Sequence, residues 1–279
     1  MRSPRDPLRG LVGLLLCAGL GGGCNSQPTY PKERLAESLQ RLLTQEHLNA
    51  SVRFVEHTVA VQYEYPGALI QIDAHQFGVG PAFDEAIRKV LFPLHRVLLS
   101  SDAPVDFYVL LMSDPKFPGA YLTMVRYLDD VRRANANMLD TPEMFARTLF
   151  ELNLVDSRPL TLDQYLPRDI LMEEFLSWQL ARRIQAKLTE ELYAAGVAEV
   201  GRCAGEFRNK EFVFTLNVTP PSGTAFDDAT IRRIFETSTN QIAQVLSSYR
   251  FHSFDAIRLI HPSTGRHLVL PKARLDVFR

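Results

Sequence analysis

The chain has 279 residues but only three cysteines and one tryptophan, and it has no excess of charge, with 31 Lys and Arg against 32 Asp and Glu. Balanced charge leaves no basic surface to hold a polyanion, so nucleic acid is excluded as an electrostatically driven partner. Three cysteines at positions 17, 24 and 203 cannot form a disulfide framework, so the fold must rest on its core. There is no Gly-x-Ser-x-Gly elbow, His-Glu-x-x-His, Walker loop, Cys-x-x-Cys or Gly-x-Gly-x-x-Gly. These absences leave no cofactor or metal to expect. Nor does any hydrophobic run reach transmembrane length. The apolar stretch Gly10 to Gly23 is fourteen residues, about 21 Å as a helix against a hydrocarbon core of about 30 Å.

What is present begins with that stretch. Arg2, Arg5 and Arg9 precede the apolar run Leu11 to Leu20, which ends in Gly21-Gly22-Gly23-Cys24 and the polar run Asn-Ser-Gln-Pro-Thr. A cationic start, a short apolar helix and small residues ahead of a cysteine form a secretory signal. The segment resembles the lipobox of bacterial lipoproteins, with Gly21 where leucine is usual. The resemblance covers only this N-terminal tenth of the chain. It implies cleavage before Cys24, acylation of Cys24 with palmitate-type chains, and a membrane partner through that anchor. Asn25 in place of an aspartate implies the outer rather than the inner membrane in a diderm cell. Seven residues from Cys24 to Pro31 reach at most about 25 Å, so the body is expected to sit close to the bilayer.

Loss of residues 1–23 removes Arg2, Arg5, Arg9 and Asp6, leaving 28 basic and 31 acidic residues, a net charge of −3. Apolar residues make up 46% of the chain, with 17 Phe and 9 Tyr, which is ample for a core. If Cys24 is acylated, Cys203 is left unpaired; its neighbours Gly201, Ala204 and Gly205 mark it as a small buried hydrophobe.

Periodicity predicts an α+β body. Helices are expected over 31–47, 83–100 (kinked or divided at Pro93), 128–136, 168–194 and 228–249. Strands are expected at 52–65 (a hairpin broken at Glu56-His57-Thr58), 106–112, 121–125, 199–207, 211–218, 256–261 and 267–270, with 67–80 an irregular connection. Both halves read helix, hairpin, helix, strand pair. Ala82-Phe83-Asp84-Glu85-Ala86-Ile87-Arg88-Lys89-Val90 returns as Ala225-Phe226-Asp227-Asp228-Ala229-Thr230-Ile231-Arg232-Arg233-Ile234 with one insertion. The reading is an internal duplication: two similar units, each an antiparallel sheet covered by helices. The boundaries are signal 1–23, tether 24–30, first unit 31–140, connecting segment 141–167 and second unit 168–279.

Candidate ligand-binding residues are few. Asp73 and His75 would share one face of a strand. Phe117 and Tyr121 border a Pro/Gly-rich loop, Ser113 to Tyr121, able to meet a partner. Trp178 falls on an apolar stripe and reads as core or inter-unit packing. Asp129-Asp130 with Arg132-Arg133, and Glu173-Glu174 and Glu190-Glu191 around Arg182-Arg183 and Lys187, read as solvated ion-paired faces. The expected function is a non-catalytic binding or scaffolding lipoprotein with an envelope protein partner; the alternative is an envelope hydrolase with a dispersed active site.

Overall fold

The computed structural model describes residues 29–67, 70–73, 76–79, 83–154, 161–222 and 224–278. The segment expected to be a signal, and Cys24, lie outside them. The first unit opens with α1 (Leu35–Gln45), whose Leu35, Leu39 and Leu43 are buried at four-residue spacing. The hairpin β1 (Ala50–Val55) and β2 (Thr58–Glu64) follows, with Val55 opposite Thr58 and a two-residue turn at Glu56-His57. Glu56 takes φ +49° there, as a tight hairpin turn requires. A short hairpin, β3 (Ile70–Asp73) with β4 (Gln76–Val79), occupies the stretch expected to be irregular. Its strands are only four residues each, too short for alternation to show in the sequence.

Helix α2 (Phe83–Leu99) is continuous through Pro93. Pro93 is itself buried, and Val90, Leu94 and Val97 on either side are fully buried. At about 1.5–3 kcal/mol for each such side chain, packing offsets the roughly 3 kcal/mol that an interior proline costs. The chain then forms β5 (Phe107–Asp114) and β6 (Phe117–Tyr127), joined by a tight turn with a register shift at Ser113/Asp114. The loop expected from Ser113 to Tyr121 is thus mostly strand, and Phe117 is the first residue of β6. After α3 (Leu128–Asn135) the expected join holds α4 (Thr141–Arg147), β7 (Leu149–Leu154) and α5 (Leu162–Tyr165). β7 extends the first sheet to the order β1-β2-β5-β6-β7.

The second unit repeats the plan. Helix α6 (Met172–Leu188) leads through the short pair β8 (Glu199–Val200) and β11 (Val218–Thr219) to the hairpin β9 (Ala204–Arg208) and β10 (Glu211–Thr215). Helix α7 (Asp228–Tyr249) and strands β12 (Ala256–His261) and β13 (Arg266–Pro271) complete it. The strand order β9-β10-β12-β13 matches β1-β2-β5-β6. Each of these four-strand sets is antiparallel except at its centre, where β2 with β5 and β10 with β12 run parallel. A helical crossover returns the chain in the same direction, and hairpins do not.

The correspondence reaches individual backbone bonds. Asp106 N–H donates to the carbonyl of turn residue His57 at 2.8 Å, and Asp255 N–H donates to that of turn residue Lys210 at 2.8 Å. Asp106 O in turn accepts from Leu128 N at 2.7 Å, and Asp255 O accepts from Lys272 N at 2.9 Å. On the helix-covered faces, Val59, Val61, Tyr63, Tyr108 and Leu110 form one core, and Phe212, Phe214, Leu216, Ile257 and Leu259 form its counterpart. α6 passes so close over β9 that a Cβ on Gly205 would lie 2.3 Å from the Ser177 carbonyl oxygen.

The opposite faces differ. In the first sheet Ala60, Phe107, Val109 and Leu111 meet a third core containing Leu162, Leu166, Ile170 and Phe175. In the second sheet the matching face carries exposed Glu206 and Arg208 and the two-bond pair Arg258–Glu211, both contacts at 3.2 Å.

The third core joins the units, and a buried polar network runs beside it. Asp130 is 0% exposed and Arg147 3%. Asp130 Oδ1 accepts from Arg147 Nη1 at 2.9 Å, and Oδ2 accepts from the Tyr249 hydroxyl at 2.8 Å. Gln179 Nε2 donates to Tyr249 Oη at 2.9 Å and to the Arg147 carbonyl at 2.7 Å, while the Arg147 guanidinium lies 4.4 Å from the Tyr249 ring centre. Burial pushes the Asp130 carboxyl up despite these partners. The Asp129–Arg133 stretch is therefore not simply a solvated face.

Within the first unit His95 Nε2 lies 2.8 Å from Tyr108 Oη, which accepts from Arg126 Nη1 at 3.2 Å. With that oxygen accepting, its proton goes to a neutral imidazole. Burial, then the Arg126 charge, lowers His95 to about 4, and burial raises Tyr108 to about 12.

Two outcomes follow for stability. Arg147→Met strands a buried carboxylate and should cost about 3–5 kcal/mol, with part recovered in Asp130→Leu/Arg147→Met; urea unfolding checks this, and a single variant within 1 kcal/mol of the parent refutes it. The folded pKa of His95 lies below the unfolded value of 6.5, so the unfolded chain takes up the extra proton between the two. Stability should fall by up to roughly 3 kcal/mol from pH 6.5 to 4. Melting temperatures of His95→Gln across that window should fall less steeply than those of the parent.

Candidate functional site: the cleft between the units

α6 serves both units. Phe175 turns into the third core, against Phe107 at 5.1 Å between ring centres, while Leu180, Ile184 and Leu188 pack under the second sheet. A helix buried on two sides exposes only a narrow strip. That strip, Trp178 and Arg182 one turn apart, faces a gap between the edge strands β7 and β9. The gap is a cleft of about 730 Å³.

Trp178 is 42% exposed, so of the two readings its stripe allowed, core or inter-unit packing, the core one fails: it stands open in the cleft between the units. Arg182 Nη1 donates to the Phe150 carbonyl on the free edge of β7. Desolvation lowers the Arg182 pKa; Glu151 opposes this and Arg202 adds to it. Arg202 Nη2 pairs with Glu151 Oε1 at 2.5 Å. Tyr165 is part of the lining, its hydroxyl pKa raised by burial. Cys203 is 4% exposed, its backbone N–H donates to Gln185 Oε1 at 3.2 Å, and burial raises its thiol to about 11. The lining therefore combines a flat apolar ring, two cations, one carboxylate and amide and hydroxyl groups. Such a set offers both apolar and charged contacts, and its thiol stays protonated at neutral pH.

Of the four ligand-binding candidates from sequence, Tyr121 comes near: its ring stands edge-on to Tyr165 at 6.3 Å. Asp73 ends β3, but its side chain and all of His75 lie outside the described residues, as do Cys24 and the Phe117 side chain. Trp178, Arg182, Arg202 and Glu151 were not grouped from sequence. Trp178 and Arg182 carry a local signal, four residues apart on a helix, but Glu151 and Arg202 join them only through the tertiary fold.

Two further features are chemically distinct. Ligating atoms of Glu56, His57 and Asp169 lie within 4.8 Å of one another, enough for three ligands to a divalent cation. The Asp169 carboxylate is already engaged, accepting from His57 N–H at 3.3 Å and from the Thr58 hydroxyl and facing His57 Nδ1 at 3.1 Å. Thr58 Oγ1 accepts from Ile170 N at 3.1 Å. The group thus clamps the approach to α6 onto the β1–β2 turn. The second feature is a groove of about 900 Å³ between α7 and β13, with Ile231, Phe235, Leu268 and Leu270 in its lining.

Comparison with known proteins finds no family model that matches the chain and no curated protein of matching sequence.

The state of Cys203 is directly measurable. In a Cys17→Ser/Cys24→Ser chain at pH 8 a disulfide reagent such as DTNB should leave it unmodified, and should titrate one thiol after unfolding in guanidinium. Rapid labelling of the folded chain would contradict the burial described.

Proposed function

We propose that this is a lipid-anchored envelope protein whose folded body binds another envelope component in the cleft between its two units. The anchor reading is supported by the order cationic start, short apolar run, Gly21-Gly22-Gly23-Cys24. Among the described residues no helix is long and apolar enough to cross a membrane. Attachment in this reading rests on acylated Cys24, with Asn25 favouring the outer membrane. The observation that carries the binding role is Trp178, a large ring left open beside Arg182 on a helix otherwise packed from two sides. Exposed aromatic and arginine side chains in a concave setting are the groups that most often dominate binding energy. Glu151, Arg182 and Arg202 supply charge recognition.

The test has two arms. Cys24→Ser should abolish metabolic incorporation of labelled fatty acid and block signal cleavage; a native mature terminus bearing no fatty acid refutes the anchor. In pull-downs from detergent-solubilised envelope with the lipidated chain, Trp178→Ala should lower recovery of the bound component by about tenfold or more. Equal recovery with parent and variant refutes the cleft as the binding surface.

A further inference from the structure

We infer that the cleft takes an acidic saccharide, its acid group on Arg182 and its ring against Trp178. The inference rests on the binding role just given and names the ligand chemistry. Among the described residues Arg182 is the cleft cation with no carboxylate at ion-pair distance. Arg202 is paired with Glu151, whereas among the described residues Arg182 makes one side-chain hydrogen bond, to the Phe150 carbonyl. The rest of its guanidinium fork is left to bind a planar or tetrahedral anion in two-pronged fashion. Its partial desolvation strengthens any such contact and weakens competition from water.

The second requirement is the body that carries the acid. Trp178 lies one helical turn from Arg182, which places a flat ring on the same exposed strip of α6. A flat indole matches the apolar C–H face of a pyranose ring. Around that pair Glu151, bonded to Arg202 through Oε1, offers its second carboxylate oxygen, and Gln185, whose Oε1 takes the Cys203 N–H, offers its Nε2 amide, as ring hydroxyls need. A purely aliphatic ligand would match neither the Arg182 charge nor these polar groups, and a neutral sugar would bring no anion to Arg182. The volume of about 730 Å³ admits one or two sugar rings.

Trp178 is the only tryptophan in the chain, so intrinsic fluorescence reads the cleft directly. The mature chain is titrated with a glucuronate-terminated disaccharide, the N-acetylglucosamine–N-acetylmuramic acid disaccharide, glucose 6-phosphate, and neutral cellobiose. A saturable change is expected with at least one acidic sugar, about tenfold or more tighter than with cellobiose. The carboxylate and phosphate arms show which acid is preferred. Raising NaCl from 50 to 500 mM should weaken acidic-sugar binding and leave cellobiose unaffected, a test that needs no substitution. Arg182→Gln should lose the acidic preference, Arg182→Lys should keep part of it, and Arg41→Gln on exposed α1 should change nothing. No saturable response to any acidic sugar, equal affinity for cellobiose, or insensitivity to salt each overturns the inference. If Trp178→Ala loses the envelope component while no acidic sugar binds, the binding role stands and this ligand class falls. If acidic sugars bind while Trp178→Ala retains the envelope component, the ligand class stands and the partner reading falls.

Discussion

A carboxylate that no solvent reaches, Asp130, is the constraint on which the arrangement of the two halves depends. Its two oxygens are divided between Arg147 on its own side and Tyr249 from the last turn of α7, so each half completes the other's hydrogen bonding. Beside it Phe107, Tyr127, Phe175 and Tyr249 form a run of ring contacts at 5.1 to 6.4 Å across the same boundary. Apolar burial supplies attraction without direction, whereas the network tolerates one geometry. The cleft follows from that geometry. Once α6 is shared by two sheets, their edges β7 and β9 stand apart over its exposed strip, with Trp178 and Arg182 between them.

The halves share a plan down to the bonds made by Asp106 and Asp255, yet they have diverged in what covers them. β6 is completed by β7, whereas β13 is a sheet edge beside the groove of about 900 Å³. Pro271 ends that edge strand, and a residue without an N–H blunts an edge against unwanted pairing. The first sheet is buried on both faces, while the second is buried on one and carries the Arg258–Glu211 and Arg208–Glu206 pairs on the other. The first half thus serves as the buried platform, and the second faces solvent.

Much of this was legible in the residues themselves. α7 runs from Asp228 to Tyr249 as its apolar spacing indicates, with Asp227 capping Thr230 N–H at 2.7 Å. The repeat at Ala-Phe-Asp pointed to a shared strand order because matching helices cross over matching hairpins. What could not be read locally was what other elements would bring. Asp130 sits in a run of charges typical of a surface helix, and only Arg147 and Tyr249, 17 and 119 residues away, make its burial possible. Trp178 lies on an apolar stripe, but that stripe serves two cores and the tryptophan falls between them. The segment 141–167 contains three prolines, which suggested a linker, yet Pro142 sits in the first turn of α4, where a missing N–H costs nothing.

The cleft depends on the junction: its edges β7 and β9 face one another only while the two units hold one orientation. The direct measurement is scanning calorimetry of the folded protein. One transition is predicted, with calorimetric and van't Hoff enthalpies agreeing as for a single cooperative body. Two separately resolved transitions in the unaltered protein would show that the units are not locked together, and would contradict the account.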